Sequence, residues 1–323
     1  MTAELAVIIV SWNTRDLTLQ TLRALYEDLE EFGPQAQVWV IDNASADGTP
    51  DAVQEAFPQA CLVTSQENLG FAGGNNHALR LIGFDDKLGS KTNSTRQLPQ
   101  AVYLLNSDTI TQPGATRALY DALFRLPRAG VVGARLSYGD GSFQHSAFQF
   151  PDLGQLLVDL FPVPGRLHES TFNGRYPRAA YSGADPFPVD HTLGATMMLR
   201  REVIQETGLF DESYFMYCEE IDWSKRIRQA GWEIYCVPKA HVVHLAGQST
   251  KQVRPQSVVN LWHSRMRFFQ AYYPPLKRWT ARRLIWLGMR RKIAQTRRAF
   301  RAGELPADER DALIDAYRAV RTL

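Results

Sequence analysis

The sequence predicts an α/β protein, a mainly parallel open sheet flanked by helices, with a C-terminal helical extension. Three observations carry this. Short β-branched runs alternate with helical stretches from Ala6 to Leu105. The first run is apolar throughout rather than alternating, as strands buried on both faces are. Beyond Thr250 the pattern turns helical and strongly basic.

The elements follow in order. Ala6–Ser11 reads as a buried strand, and Leu17, Leu19, Leu22, Leu25 and Leu29 behind Thr14-Arg15-Asp16 give the spacing of a helix. Gln37–Asp42 is a second strand, ending in the turn cluster Asn43-Ala-Ser-Ala-Asp-Gly48 before a helix with Pro50 near its start. Cys61–Thr64 is a third strand, and Asn68-Leu-Gly-Phe-Ala-Gly-Gly-Asn-Asn76 leads into another helix. Ala101–Leu105 is a fourth strand, preceded by a polar surface insertion between Gly83 and Gln100. A Pro- and Gly-rich stretch from Phe148 to Phe187 reads as a long loop region over a site. Ala195–Leu199 is then a strand and Arg201–Thr207 a short helix.

Composition sets bounds on function. With 323 residues and 45% apolar content, the chain can bury a large core. Cys61, Cys218 and Cys236 are far apart and form no C-x-x-C pair, which argues against a zinc site or disulfide framework and fits a reducing cytoplasm. The apolar run Leu5–Val10 is too short for a signal peptide or a membrane span. Net charge is +2, but Trp262 to Arg301 holds 12 Lys or Arg and no acid, leaving 24 basic against 34 acidic residues elsewhere. An acidic body with a basic extension suggests an anionic partner surface, lipid or nucleic acid. Strand one runs into Ser11-Trp12-Asn13-Thr14-Arg15 without a glycine. That counts against a dinucleotide-binding dehydrogenase, and equally against a sugar nucleotidyltransferase with its glycine-rich phosphate loop.

Three clusters carry chemistry. Leu105-Asn106-Ser107-Asp108-Thr109 places a carboxylate where strand four meets a loop, a position suited to a hard divalent cation, though the same residues also cap turns. Glu219-Glu220-Ile221-Asp222 opens a helix that runs to Gly231, and the helix dipole favours an ionised carboxylate there, ready to act as a general base. The plainer alternative is ordinary charge complementarity at a helix start. His241 and His244 stand by a strand ahead of a glycine turn, where a lone His is more often structural than a ligand.

Taken together in order, these landmarks resemble the family 2 glycosyltransferases of GT-A fold, particularly their rhamnosyltransferase-like branch acting on bacterial surface polysaccharides. The matching segments include Ile9–Asn13, Asp42–Gly48, Asn68–Asn75, Leu105–Asp108, Gly194–Leu199, Phe210–Phe215, Glu219–Asp222 and His244. The pattern along the chain divides it into a catalytic domain over residues 1–250 and a basic helical extension over 251–323. The resemblance implies that Ser11, Asn13, Arg15, Asp42, Asn75, Asn106 and Ser107 line the nucleotide site. Asp108 and His244 would hold a divalent cation, Mg²⁺ or Mn²⁺, with Asn106 standing where many members have a further Asp. Glu220 would deprotonate the acceptor, a Glu in place of the family's Asp, with Asp222 the next candidate. Gly194, Ala195 and Glu219 would lie at the donor sugar or acceptor. The donor would be a thymidine or uridine diphosphate sugar, rhamnose being what the nearest branch implies. The acceptor would be a polysaccharide or lipid-linked glycan, and the reaction would invert configuration. The competing reading from composition is a nucleic-acid-binding protein using the basic tail. The acidic body and the lack of a nucleic-acid motif oppose it.

In that tail Trp279, Trp286, Ile293 and Phe300 recur every seven residues, flanked by Arg282-Arg283, Arg290-Arg291 and Arg297-Arg298. The pattern suits either a helix lying in an anionic membrane interface or one packing on protein or a second copy. A cytoplasmic enzyme, peripheral on the inner face of the cell membrane, is the expectation.

Overall fold

The computed structural model describes residues 4–85, 98–246 and 254–323. Most of the polar insertion expected before strand four, and the glycine turn after His244, lie outside the described residues.

Four strands make the parallel half of the main sheet: β1 (Leu5–Ser11), β2 (Ala36–Asp42), β3 (Cys61–Thr64) and β4 (Ala101–Leu105). They are joined by α1 (Arg15–Glu31), α2 (Thr49–Ala56) and α3 (Gly70–Ile82). β5 (Thr109–Thr111), α4 (Ala115–Arg125), β6 (Ala129–Ser137), β7 (Phe143–Gln144) and β8 (Ala147–Phe148) follow. Next come α5 (Leu153–Leu160), β9 (Phe187–Val189), β10 (His191–Thr192), β11 (Thr196–Arg200) and α6 (Arg201–Thr207). The chain then forms α7 (Glu219–Gln229), β12 (Glu233–His244), α8 (Arg254–Tyr272), α9 (Pro275–Arg301) and α10 (Ala307–Val320).

The strand order is β3-β2-β1-β4-β11-β6-β12-β5, with β7 beside β6 and β9 beside β12, and a separate β8–β10 pair. β11 runs antiparallel to both β4 and β6. That reversal brings the loop before β11 to the carboxyl end of β4, where an open α/β sheet gathers its ligands. Alternate residues of β1 feed the two faces: Val7 and Ile9 join one apolar layer with Leu22 and Leu25, Ala6 and Ile8 the other with Leu79 and Trp223. Both faces are covered, which explains the uninterrupted apolar strands.

The chain divides into two compact units. One comprises Met1–Gln149, Tyr176–Phe215 and Glu219–Ser249; the other Phe150–Arg175, Met216–Cys218 and Thr250–Leu323. The Phe148–Phe187 stretch is therefore not one loop. Its first part, with α5, belongs to the second unit, where Leu156 and Leu160 pack with Trp262, Phe269, Ile285 and Met289.

The heptad stripe of α9 does not form a single face. Its inward seam is Ala281, Ile285, Gly288, Met289, Ile293 and Thr296. A seven-residue repeat drifts by about 20° per heptad around a straight α-helix. Trp279 is accordingly exposed, Trp286 half-buried under Arg290 and Arg321, and Ile293 buried in the seam.

Candidate active site

The first wall of the site is a pair of loops stitched together at the ends of β1 and β2. Asn13, at φ 51°, donates its backbone N–H to Ser45 Oγ at 2.9 Å, and its Oδ1 accepts from Ala46 N–H at 2.8 Å. Ala44 is also left-handed at φ 59°, so both loops hold conformations that L-residues enter at a cost. Arg15 N–H donates to Asp47, and Ser45 N–H donates to Asp42 Oδ2 at 3.0 Å. Asp42 is buried and its other oxygen, Oδ1, has no protein partner. A buried acceptor oxygen with no donor is costly unless a ligand hydroxyl meets it.

Not every residue expected to line the nucleotide site presents its side chain. Ser11 is fully buried, and its hydroxyl is engaged with Thr14 at 3.1 Å and Thr18 at 2.8 Å. Thr14 in turn lies 3.2 Å from Ser107 Oγ, so this hydroxyl cluster ties the β1 loop to the β4 loop. Asn75 donates to the Phe71 carbonyl within its own helix at 2.9 Å. The Arg15 guanidinium is half-exposed and lies against Asp16.

The second wall is the loop after β4. Asn106 N–H donates to the Ala195 carbonyl, Thr109 N–H to Thr21 Oγ1, and Leu245 N–H to the Asp108 carbonyl. Through the β12–β5 pairing, which sets His244 opposite Thr109, the Asp108 carboxylate meets the His244 ring, with Oδ1 3.3 Å from Nε2. Both side chains are almost wholly buried. On the far side of the ring Gln144 Nε2–H donates to His244 Nδ1 at 3.2 Å, while Gln144 Oε1 is buried without a partner. Sequence reasoning missed Gln144: a Gln between Phe143 and His145 has no signature, and only the β6–β7 hairpin brings it here. His241, three residues earlier, is engaged with Ser137 at 2.9 Å and takes no part.

One carboxylate oxygen and one imidazole nitrogen suit a divalent cation. Their 3.3 Å separation matches two adjacent ligands of one ion at bond lengths of about 2.1 Å. Among the described residues no cluster of three or more His, Cys, Asp or Glu could hold a metal by itself. Asp108 and His244 would thus be the two protein ligands of such an ion.

The third wall is the start of α7. Tyr217 and Cys218 are consecutive left-handed residues, φ 70° and 66°, so the chain enters α7 through a tight, strained bend. α7 itself is locked: Trp223 is fully buried and donates to Thr207, and Arg226 bonds Asp222 at 2.9 Å and the Leu209 carbonyl at 2.8 Å. Asp222 is therefore committed to an ion pair that holds the preceding loop. The same loop is fastened to α3, where Asn76 exchanges two hydrogen bonds with the Phe210 backbone. At the helix start Gly70 has φ 71°, and a Cβ there would sit 2.3 Å from the Phe215 carbonyl, so only glycine fits.

Glu219 and Glu220 open α7 with one buried oxygen each, Oε2, that has no partner. Burial raises both. Glu220 is pushed up to about 7 against the pull of the backbone N–H groups of Glu220 and Ile221. Glu219 is driven well above the carboxylate range by burial and then by its neighbour's charge. The helix N-terminus therefore does not hold Glu220 in the ordinary carboxylate range, because desolvation outweighs the dipole. Glu220 keeps some exposed surface, while its Oε2 is sealed from solvent.

Gly194 joins these walls. A Cβ at Gly194 would lie 3.7 Å from Glu220 Cβ and Cγ, and the next residue, Ala195, accepts from Asn106. One short turn ahead of β11 thus touches the Glu220 side and the Asn106–Asp108 loop. Asp108, His244 and Glu220 share one end of the sheet.

The chain matches the family model for glycosyl transferase family 2 over residues 6–208. It is 32% identical over 259 residues to the N-acetylglucosaminyl-diphospho-decaprenol L-rhamnosyltransferase of Mycobacterium tuberculosis, covering 76% of this chain and 79% of that protein. It is 25% identical over 264 residues to the low-salt glycan biosynthesis hexosyltransferase Agl10 of Haloferax volcanii, covering 80% and 71% of the two chains. Among solved structures, the mannosyltransferase PcManGT of Pyrobaculum calidifontis, in complex with GDP-Man and Mn²⁺, superposes with a TM-score of 0.55. Its sequence identity is 17%, over 100% of this chain and 87% of that one, a likeness of fold. With a mixed sheet of GT-A architecture, a family match over most of its sheet and a rhamnosyltransferase relative covering three quarters of its length, the chain belongs to glycosyltransferase family 2.

Proposed function

We propose that the protein transfers rhamnose, with inversion, from a thymidine diphosphate donor to a hydroxyl of a lipid-linked glycan. The observation that carries the mechanism is the desolvated Glu220 carboxyl beside Gly194, on the turn that touches the Asp108 loop. The donor sugar and acceptor class rest on the mycobacterial relative, which by its name uses both. A uridine diphosphate hexose is the alternative donor.

Nucleotide binding falls to the Asn13–Arg15 and Asp42–Asp47 loops, with the orphan Asp42 Oδ1 accepting from a ribose or base donor. Asp108 and His244 would hold a Mg²⁺ or Mn²⁺ ion, which supplies electrostatic stabilisation to the departing diphosphate. Glu220, in its ionised form, would take the proton of the acceptor hydroxyl as that hydroxyl's oxygen attacks the anomeric carbon from the face opposite the diphosphate. We assign the base to Glu220 rather than Asp222, whose Oδ2 is held by Arg226. Ser11 serves by supporting the β1 loop through Thr14, and Asn75 bonds within α3. An acceptor on a lipid is held at a bilayer surface, so the enzyme works there. Among the described residues no helix is long and apolar enough to cross a membrane.

A panel of thymidine, uridine and guanosine diphosphate sugars, each with Mg²⁺ or Mn²⁺ and a short-chain lipid-diphosphate glycan, tests this reading. Thymidine diphosphate release with the rhamnosyl donor alone is expected. Release from none of the donors would sink the assignment.

Gln144 orients His244 in this scheme. With its Nε2 turned to Asp108 a metal-binding ring needs Nδ1 protonated, and the unpartnered Gln144 Oε1 can accept that proton's bond after the amide rotates. Gln144→Leu is expected to weaken Mn²⁺ binding about 10- to 100-fold in calorimetric titrations with thymidine diphosphate present. Wild-type affinity in the variant would show that the amide is only packing.

A further inference from the structure

The heptad drift along α9 leaves a second, narrower face that the sequence stripe did not single out. Leu276, Trp279, Arg283, Leu287 and Arg290 follow one another at intervals of three and four residues, on the side opposite the buried seam. Leu276 is 75% exposed, Trp279 56% and Leu287 47%, an unusual concentration of large apolar side chains on one solvent-facing helix. Arg283 lies over the Trp279 ring at 5.3 Å from its centroid, so the apolar and cationic groups form one surface. α9 contains ten Lys or Arg and no acidic residue.

We propose that this face of α9 docks the enzyme on an anionic lipid bilayer, with Leu276, Trp279 and Leu287 inserted at the level of the headgroups and arginines on the phosphates. Three features favour a bilayer over other occupants. A second copy would meet the face isologously and set Arg against Arg without a carboxylate to answer them. A nucleic acid would engage the arginines but leave Leu276 and Leu287 against a polar backbone. A lipid surface takes both: tryptophan and leucine gain by leaving water at the acyl boundary, and each basic residue gains from the surface potential. The docking deepens the reading of a bilayer-held acceptor, yet it stands on α9 alone and is read out separately from sugar transfer.

The test is flotation of the full chain with phosphatidylcholine vesicles, with and without phosphatidylglycerol. The wild type is expected to float with the anionic vesicles at low salt and to be released near 1 M salt, where the screening length falls to about 3 Å. The triple variant Leu276→Ser, Trp279→Ser, Leu287→Ser is expected to partition at least about tenfold more weakly. Its turnover on a water-soluble acceptor analogue should stay at the wild-type level, since the three side chains belong to the second compact unit and not to the one that carries Asp108, Glu220 and His244. Quenching of Trp279 by brominated lipid, read as the difference between wild type and Trp279→Phe, places the ring in the interface. Failure of the wild type to bind anionic vesicles overturns the proposal. So does a triple variant that binds as well as wild type, or a light-scattering mass that shows a dimer broken by the triple variant. A dead enzyme that still floats would instead count against the sugar-transfer reading and leave the docking intact.

Discussion

Glu220→Gln is expected to lower turnover by about 10²-fold or more while raising thermal stability at pH 8. The two effects have one cause. Burial lifts the Glu220 carboxyl to about 7, so the proposed base would be half-protonated near neutrality in the free enzyme. Turnover per unit substrate should therefore rise with pH through that region and level off above it, falling about tenfold per unit on the acid side. Gln abolishes that limb along with the rate. Stability moves the other way. A carboxyl whose folded value exceeds its unfolded value binds more protons folded than unfolded between about 4.5 and 7, so stability declines as pH rises across that window and the penalty is complete above it. Gln removes a buried charge at pH 8 and changes little near pH 4. Rate measurements from pH 5 to 9, with melting curves at both ends, check this. A variant that keeps the wild-type rate removes Glu220 from the chemistry; one that melts earlier at pH 8 shows that the carboxylate is stabilised by contacts rather than desolvated.

The parts of this fold that were readable are those whose local chemistry decides their structure. β3 and β4 begin and end at the residues their apolar runs mark, Cys61–Thr64 and Ala101–Leu105. β6 was not readable, because Gly130 and Gly133 look like breakers. They serve close packing instead: a Cβ at Gly133 would lie 2.6 Å from Thr192 Cγ2, and one at Gly130 2.8 Å from Trp232 Cβ. β12 is likewise interrupted by Pro238 and Lys239, where its register against β6 shifts. The site divides in the same way. The Asp108 and Glu219–Glu220 clusters were legible as candidates, but carboxylates at a strand end or a helix start also cap turns and answer the helix dipole, and it was their order along the chain that singled them out. Burial is non-local, however, and it decides that Glu220 is raised and that Ser11 faces inward. The partner of His244 comes from a hairpin 100 residues earlier in the chain.

Asp108→Asn is the sharper test of the phosphate side, because it separates two roles that the wild-type structure superimposes. The Asp108 backbone is pinned independently of its side chain, through Leu245 N–H on its carbonyl and Thr109 held by Thr21. Asn is as good a turn residue as Asp. If the carboxylate only caps the loop, the variant should be silent in rate and melting temperature alike. If it ligates a cation, replacing the anionic oxygen by a neutral amide weakens the hold on the ion and its stabilisation of the leaving diphosphate. The chain would have little reserve, because the neighbouring Asn106 is neutral and His244 supplies no carboxylate. The expected result is a loss of turnover of about 10² to 10³, an unchanged melting temperature, and weaker Mn²⁺ retention by electron paramagnetic resonance with thymidine diphosphate bound. His244→Ala should reproduce the loss of Mn²⁺ affinity, and the double variant should add little to either single one, as residues sharing one ligand are not additive. Mn²⁺ retention equal to wild type in Asp108→Asn would return this carboxylate to the role of a turn former.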